Sequence, residues 1–443
     1  MRTPYFQALL AALILASPAT HAREALHRPA PAVAGVIRVP SPEAAISLAL
    51  QRSPGLRAAQ AAVDASHGNL LQAGLRPNPE IGLSGENVAG SGTYRSGQSL
   101  ESTLEVSQPL EIGGQRAARV RVARAEVALA RRDLAAVQLD LIRDVRRAYA
   151  EAVAARRAEA IEADRVRLAE EVLHAAQERV RAGREPLLQE RRAEAALSIA
   201  TIAHQRAERG AGVRLQALAS LLGADAVDLG HSDHWFDDIG PTPIDAVEGA
   251  ASTNTADPEE NPDFARWSDV IVRQRAALDL ERRRAIPDVT IGAGVRRYSE
   301  TNDTALMLGV SVPLPLFNRN QGAIMRSGAE VTQAEFTADQ TRRVISTALA
   351  QARQKLAVAW YEANGLRRTV LPAAEEAFGY AREGYREGKF SFLEVLDAQR
   401  TLFETRGQLN DALREVHAGR AEADRLAGGP MIGPKPLTEG GQS

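Results

Sequence analysis

Cysteine is absent from the 443 residues, which removes disulfides, thiolate metal sites and cysteine nucleophiles at once. Lipid attachment at an N-terminal cysteine goes with them. Aromatic residues make up only 4% of the chain against 44% hydrophobic. Alanine supplies much of the apolar count, a balance that suits closely spaced helices better than a thick globular core. Lysine is nearly missing: Lys355, Lys389 and Lys435 stand among 54 basic residues, a bias that reads as genome composition. With a formal net charge of −2, nothing global points to nucleic acid. No segment approaches the roughly eighteen uninterrupted apolar residues of a membrane-spanning helix. Catalytic signatures are missing as well. There is no H-E-x-x-H or Walker pattern, G-A-G-V-R-R at Gly292 lacks its third glycine, and G-L-S-G-E at Gly82 misses a nucleophile elbow by one residue. The sequence predicts no enzyme, no cofactor and no resident metal.

What is present begins with Arg2, an apolar run from Ala8 to Ala16 and the small-residue exit Ala19-Thr20-His21-Ala22. That pattern predicts a secretory signal peptide over residues 1–22, followed by an extended start over 23–41. The destination is then the periplasm or the outer membrane.

The chain is also written twice. Pro54 and Pro262, and Pro79 and Pro287, are pairs offset by 208. Pro109 matches Pro313, and Glu126-Val127 matches Glu330-Val331, at an offset of 204. Arg181-Ala182-Gly183-Arg184 matches Arg386-Glu387-Gly388-Lys389 at 205. The predicted copies span 42–223 and 261–427, each reading helix, hairpin, long helix, shorter helix. Between them an acidic connector, 224–260, carries no lysine or arginine, and a tail of 428–443 follows the second copy.

Within each copy a short alternation marks strands. Leu100, Ser102, Leu104 and Val106 alternate with Glu101, Thr103, Glu105 and Ser107; Leu306, Leu308, Val310 and Val312 alternate with Met307, Gly309 and Ser311. With Ile81 and Leu83, and with Val289, Ile291 and Val295, they form hairpins over about 79–111 and 287–315. That makes four strands per chain. A membrane barrel needs at least about eight, so one chain cannot close one.

The long helices follow at about 114–182 and 320–387, with shorter ones at about 186–223 and 391–427. Val120, Val127, Leu134, Leu141, Ala148 and Ala155 recur every seven residues, which predicts coiled-coil packing. A kink or break is expected near Leu371-Pro372. Pro109 and Pro313 end strands where ladder donors are no longer wanted, while Gly113, Gly114, Asn318 and Asn320 bend the chain from sheet into helix.

The runs Q-P-L-E-I-G-G-Q-R-A-A-R and V-P-L-P-L-F-N-R-N-Q-G-A-I, together with the duplication, resemble the TolC-type outer-membrane efflux proteins and their cobalt-zinc-cadmium resistance branch. The resemblance spans about Pro42 to Ala427. It implies a mainly α fold with a small β part: a homotrimer whose twelve strands form an outer-membrane β-barrel continued by a periplasmic α-barrel. It further implies a passive exit duct, supplied by an inner-membrane pump of the RND type through a periplasmic adaptor, with divalent metal cations as cargo. Anchoring would rest on the barrel alone. Drugs, solvents or secreted polypeptides are the alternative cargo, and a periplasmic coiled-coil scaffold without a pore is the alternative of another class.

By the same resemblance the hairpin tips, Arg181 to Gln189 and Tyr385 to Gln399, dock the adaptor and narrow the pore. Gly183, Arg184, Gly388, Lys389, Phe390 and Phe392 are the docking candidates, and Asp397 and Glu394 are candidate pore-lining carboxylates. The residues themselves predict a left-handed cap at Gly388, a Ser391–Glu394 capping box and a Phe390–Val395 staple. His231, Asp233 and His234 read as a solvated linker. His67, His174 and His204 sit alone on helices.

Overall fold

A computed structural model describes residues 33–230, 233–240 and 261–429. Residues 1–22, expected to be a signal peptide, lie outside that range, as do His231 and the tail beyond Gly429. The chain opens with β1 (Val33–Arg38), α1 (Pro42–Arg52) and α2 (Pro54–Ala73). Both helices begin where a serine hydroxyl accepts from the third backbone N–H, Ser41 from Ala44 and Ser53 from Leu56, with proline at the first helical position. Then come β2 (Glu80–Glu86), β3 (Glu101–Leu110), α3 (Gln115–Arg181), α4 (Leu187–Leu221), β4 (Ala224–Asp228) and a single-turn α5 (Asp233–Asp237). The second copy supplies α6 (Pro262–Arg284), β5 (Val289–Tyr298), β6 (Thr304–Ser311), α7 (Gln321–Gly365), a π-turn (Leu366–Val370), α8 (Leu371–Arg386) and α9 (Phe392–Leu426).

The hairpins of the two copies join into one antiparallel sheet of order β2-β3-β5-β6. Its register lines up apolar side chains in rows: Leu83, Leu104, Val295 and Leu306 in one, Ile81, Val106, Ala293 and Leu308 in the next. One face is therefore apolar across its middle rows, with Ser102, Arg297 and Thr304 at one end and Gln108 at the other, and Leu306 and Leu308 are 85% and 88% exposed on it. The opposite face carries Glu86, Glu101, Glu105, Ser84 and Thr103, and Arg296 bonds Glu101 and Thr103 there at 3.0 and 2.9 Å. Among the described residues neither β2 nor β6 has a second neighbour.

Helix α3 runs unbroken for 67 residues, roughly 100 Å at 1.5 Å per residue. It holds neither proline nor interior glycine, and its buried positions include Ala118, Ala125, Val145, Ala152 and Ala176. Such small side chains let neighbouring helices approach closely.

The waist departs from expectation. Residues 33–38, within the stretch expected to be extended, form a strand that pairs in parallel with β4 of the connector. The rest of the described connector is packed. Phe236 and Ile239 are buried, and Trp235 stacks on His417 with ring centroids 4.1 Å apart. Four of its carbonyls are taken by side chains from three helical segments: Phe236 by His417 Nε2 (2.9 Å), Asp237 by Arg367 (2.8 Å), Ile239 by Arg420 (2.6 Å) and Gly240 by Trp360 (3.2 Å). Burial of Trp235 and Phe236 offsets the cost of ordering an acidic segment, provided its polar groups are satisfied. Solvated composition misled the linker reading.

His417 is only 6% exposed. Burial pushes its imidazole down to about 4; Arg420 presses the same way, while the Phe236 carbonyl, Asp238 and Asp237 oppose it. The unfolded chain binds a proton near pH 6.5 that the native waist refuses. This contribution is complete above about pH 6.5 and is lost as pH falls toward 4, by about 3 kcal/mol in all. Thermal unfolding of purified protein in detergent should show that decline, and His417→Gln should flatten it. An equal decline in the variant would assign the pH dependence elsewhere.

Candidate functional site

Both hairpin tips are built on the same turn. Gly183 (φ +68°) and Gly388 (φ +77°) take the left-handed conformation just past a helix end. In the first tip Arg184 N donates to the Arg179 carbonyl (2.9 Å) and Gly183 N to that of Val180 (3.0 Å). In the second, Lys389 N donates to Gly384 (2.7 Å) and Gly388 N to Tyr385 (3.0 Å). These paired bonds satisfy the last carbonyls of α3 and α8. The tips differ at the next helix start, where Pro186 precedes α4 without a side-chain cap and Ser391 opens α9 with the expected capping box. There Ser391 N donates to Glu394 Oε2 at 2.6 Å, which holds the Glu394 carboxyl below its usual range.

Of the docking candidates, Arg184, Lys389 and Phe390 are exposed. Phe392 is not: it is 2% exposed and packs beside the Tyr385 ring at 5.9 Å. Its place at the first helical position turns it inward, so it holds the tip together and is withdrawn as a contact residue. The Phe390 ring covers Gly384, leaving no space for a Cβ there. Asp397 is exposed one turn beyond Glu394, on the same outward face of α9 as Leu393.

A tie between the tips was not anticipated. Arg179 Nη1 donates to the Tyr385 carbonyl (2.8 Å), its Nε pairs with Glu185 (3.0 Å), and its guanidinium lies 4.6 Å from the Tyr385 ring centre. The Tyr385 hydroxyl donates to Glu185 at 3.2 Å. Burial, with Glu185 beside it, pushes that phenol up to about 12. Arg179 and Glu185 come from the first copy and Tyr385 from the second. Val180 and Tyr385 occupy matching places before their glycines, which was visible in the sequence; that the two tips touch was not.

At the other end of the long helices, both sheet-to-helix joints rest on the end of α6. Gly114 (φ +77°) and Asn320 (φ +59°) are the left-handed residues preceding α3 and α7. Gln115 donates to the Ile286 carbonyl and to Asp288, each at 2.9 Å, while Asn320 donates to the Glu281 carbonyl and carboxylate at 2.8 and 2.7 Å. A Cβ on Gly113 would come within 3.0 Å of the Arg283 carbonyl, so only glycine fits. Asn318 accepts from Asn320 N at 3.0 Å. Pro109 lies beyond the last residue of β3 paired with β2, where no N–H toward β2 is needed, and Pro313 follows the end of β6.

Among the described residues no group of three or more His, Asp or Glu could hold a metal ion, and no helix is long and apolar enough to cross a membrane. His234 is exposed. The arrangement offers a two-faced sheet, long helices and a tied tip.

Known proteins share this design. The chain is 30% identical over 388 residues to the cobalt-zinc-cadmium resistance protein CzcC of Cupriavidus metallidurans, covering 87% of this chain and 89% of that one. It is 28% identical over 296 residues to the nickel-cobalt-cadmium resistance protein NccC of Alcaligenes xylosoxydans xylosoxydans, covering 66% and 65%. In fold it matches the outer membrane protein VceC of Vibrio cholerae with a TM-score of 0.70 at 19% identity, covering 88% of this chain and 97% of that one. It matches CusC, described with transmembrane channel formation, at 0.71 and 17%, covering 91% and 96%. The family model described as outer membrane efflux protein matches residues 45–224 and 259–429, one stretch in each copy. The chain belongs to the outer membrane efflux protein family.

Proposed function

We propose that three copies of this chain close one passive duct, a twelve-stranded barrel in the outer membrane continued by a periplasmic helical tube, that releases divalent heavy-metal cations handed over by an inner-membrane pump of the RND type and a periplasmic adaptor. The observation that carries the reading is the four-stranded sheet, apolar across the middle rows of one face and, among the described residues, unpaired at the outer edges of β2 and β6. An open edge in lipid costs several kcal/mol per unpaired backbone group. Pairing β6 of one copy with β2 of the next removes the edges, and three copies of four strands fall within the range of known barrels. The metal cargo is supported by the relatives, whose names record resistance to cobalt, zinc, cadmium and nickel. Adaptor docking is assigned to the exposed tip residues Gly183, Arg184, Gly388, Lys389 and Phe390, and cation passage to Asp397 and Glu394.

Adjacent residues of β6 test the two faces. Leu308→Arg, in the apolar row, should cost about 2–4 kcal/mol near mid-membrane, whereas Met307→Arg on the opposite face should stay within about 1 kcal/mol. Urea titration of refolded protein in vesicles reads the difference, and equal costs would contradict a lipid-facing row.

Deleting the gene should raise sensitivity to zinc, cobalt, cadmium or copper, and the full chain should restore tolerance. Unchanged metal sensitivity with raised sensitivity to dyes and antibiotics would overturn the cargo. At the tip, Gly388→Val forces a β-branched residue into left-handed backbone; capture of the adaptor by pull-down should weaken while membrane assembly is kept. Normal capture would remove the second tip from the docking surface.

A further inference from the structure

Past the sheet-to-helix joint α3 and α6 run side by side. Among the described residues four ion pairs cross between them: Arg121 with Asp279, Glu126 with Arg273 (3.2 Å), Arg132 with Asp269 (3.2 Å) and Asp133 with Arg266 (3.4 Å). Each step toward the waist on α3 is matched by a nearly equal step back along α6. The strands before the joint are paired in the same sense, Glu101 facing Tyr298 and Leu110 facing Val289, so the ion pairs carry the β3–β5 register on into the helices. Polarity alternates along this ladder: α3 supplies the cation at Arg121 and Arg132 and the anion at Glu126 and Asp133. Slipping α6 by about one and a half turns would set Arg121 against Arg273 and Glu126 against Asp269. The ladder thus fixes where α6 sits on α3.

Little apolar burial supports this seam. Between Asp263 and Asp279, α6 has no buried residue, and the buried residues of α3 over the same stretch, Ala123, Ala125 and Val127, are short. At the waist the balance reverses. There α3 and α9 are also bridged by charge, Arg146 with Asp424 and Arg425 with Asp140, each at 2.8 Å. Those pairs adjoin a core in which Tyr149, Val153, Leu413 and Val416 are at most 2% exposed. The eight side chains of the α3–α6 ladder are instead 23–49% exposed, within reach of the electrolyte around them.

Salt screens charges that water reaches, whereas sodium chloride does not weaken apolar burial. Half-exposed pairs contribute little one at a time, so a seam built on them depends on several acting in one register. We infer that the α3–α6 seam is an ionic-strength-sensitive joint: the helical wall next to the sheet is fastened by charge and loosens as salt rises, while the waist stays fastened by its apolar core. The seam lies within one chain, so failure here would leave the duct and cargo readings untouched.

Amide exchange of the full chain in detergent, at about 50 mM and about 500 mM sodium chloride, reads the seam directly. Segment 264–279 should exchange about tenfold faster at the higher salt, and segment 405–416 should change by less than about twofold. Equal acceleration of both segments, or none in 264–279, would overturn the inference. Arg273→Glu sets two carboxylates against each other in the middle of the ladder and should speed exchange of 264–279 by about tenfold already at the lower salt. Adding Glu126→Arg restores the pair with its polarity reversed, and both the parental exchange and its salt response should return. A single variant that exchanges like the parent, or a double variant as fast as the single, would show that charge does not hold the seam.

Discussion

The backbone of a strand must find hydrogen-bond partners, and in lipid water supplies none. That constraint organises this molecule. The sheet β2-β3-β5-β6 satisfies its interior ladders but leaves two open edges, and its outward rows, Ile81 to Leu308 and Leu83 to Leu306, suit hydrocarbon rather than water. A single chain is therefore an arc of wall. Closing it with copies of itself fixes the number of long helices that continue below, and the alanine-lined flanks of α3 meet the need for each helix to pack on both sides.

Passing from a ring of strands to a ring of helices demands an abrupt turn at four places per chain. The two that precede long helices use the same device, a left-handed residue at Gly114 and Asn320, and both are pinned to the end of α6. The joints are thereby tied to each other, so sheet and helices are fixed as one piece. At the opposite end, the tips are tied by Arg179, Glu185 and Tyr385. Between these ends the waist segment 233–240 collects donors from α3, α7, the π-turn and α9, which explains why a stretch so acidic is packed.

Much of this was readable from the residues because it is local. Period-two alternation at Leu104 and Leu308, glycine and asparagine before the long helices, and Ser391 with Glu394 each carry their structural meaning within a few residues. What escaped depends on partners distant in sequence. Phe236 is buried because Arg157, Arg367, His417 and Arg420 converge on its neighbourhood, and the connector's own composition says nothing of them. Strand β1 pairs with β4 across the whole first copy. Phe392 looked like an exposed tip aromatic until Tyr385 was seen to pack against it. The π-turn was half visible: Pro372 announced a break, but not that the helix carries on through a π-turn at Leu366–Val370.

This sheet is incomplete alone and complete in threes. Counting the copies in the particle extracted from outer membranes, by native mass measurement of the full chain in detergent, tests it most directly. Three copies per particle are expected, with no folded monomer retained in the membrane. A water-soluble monomer, or a membrane particle whose copy number cannot close the edges of β2 and β6, would contradict it.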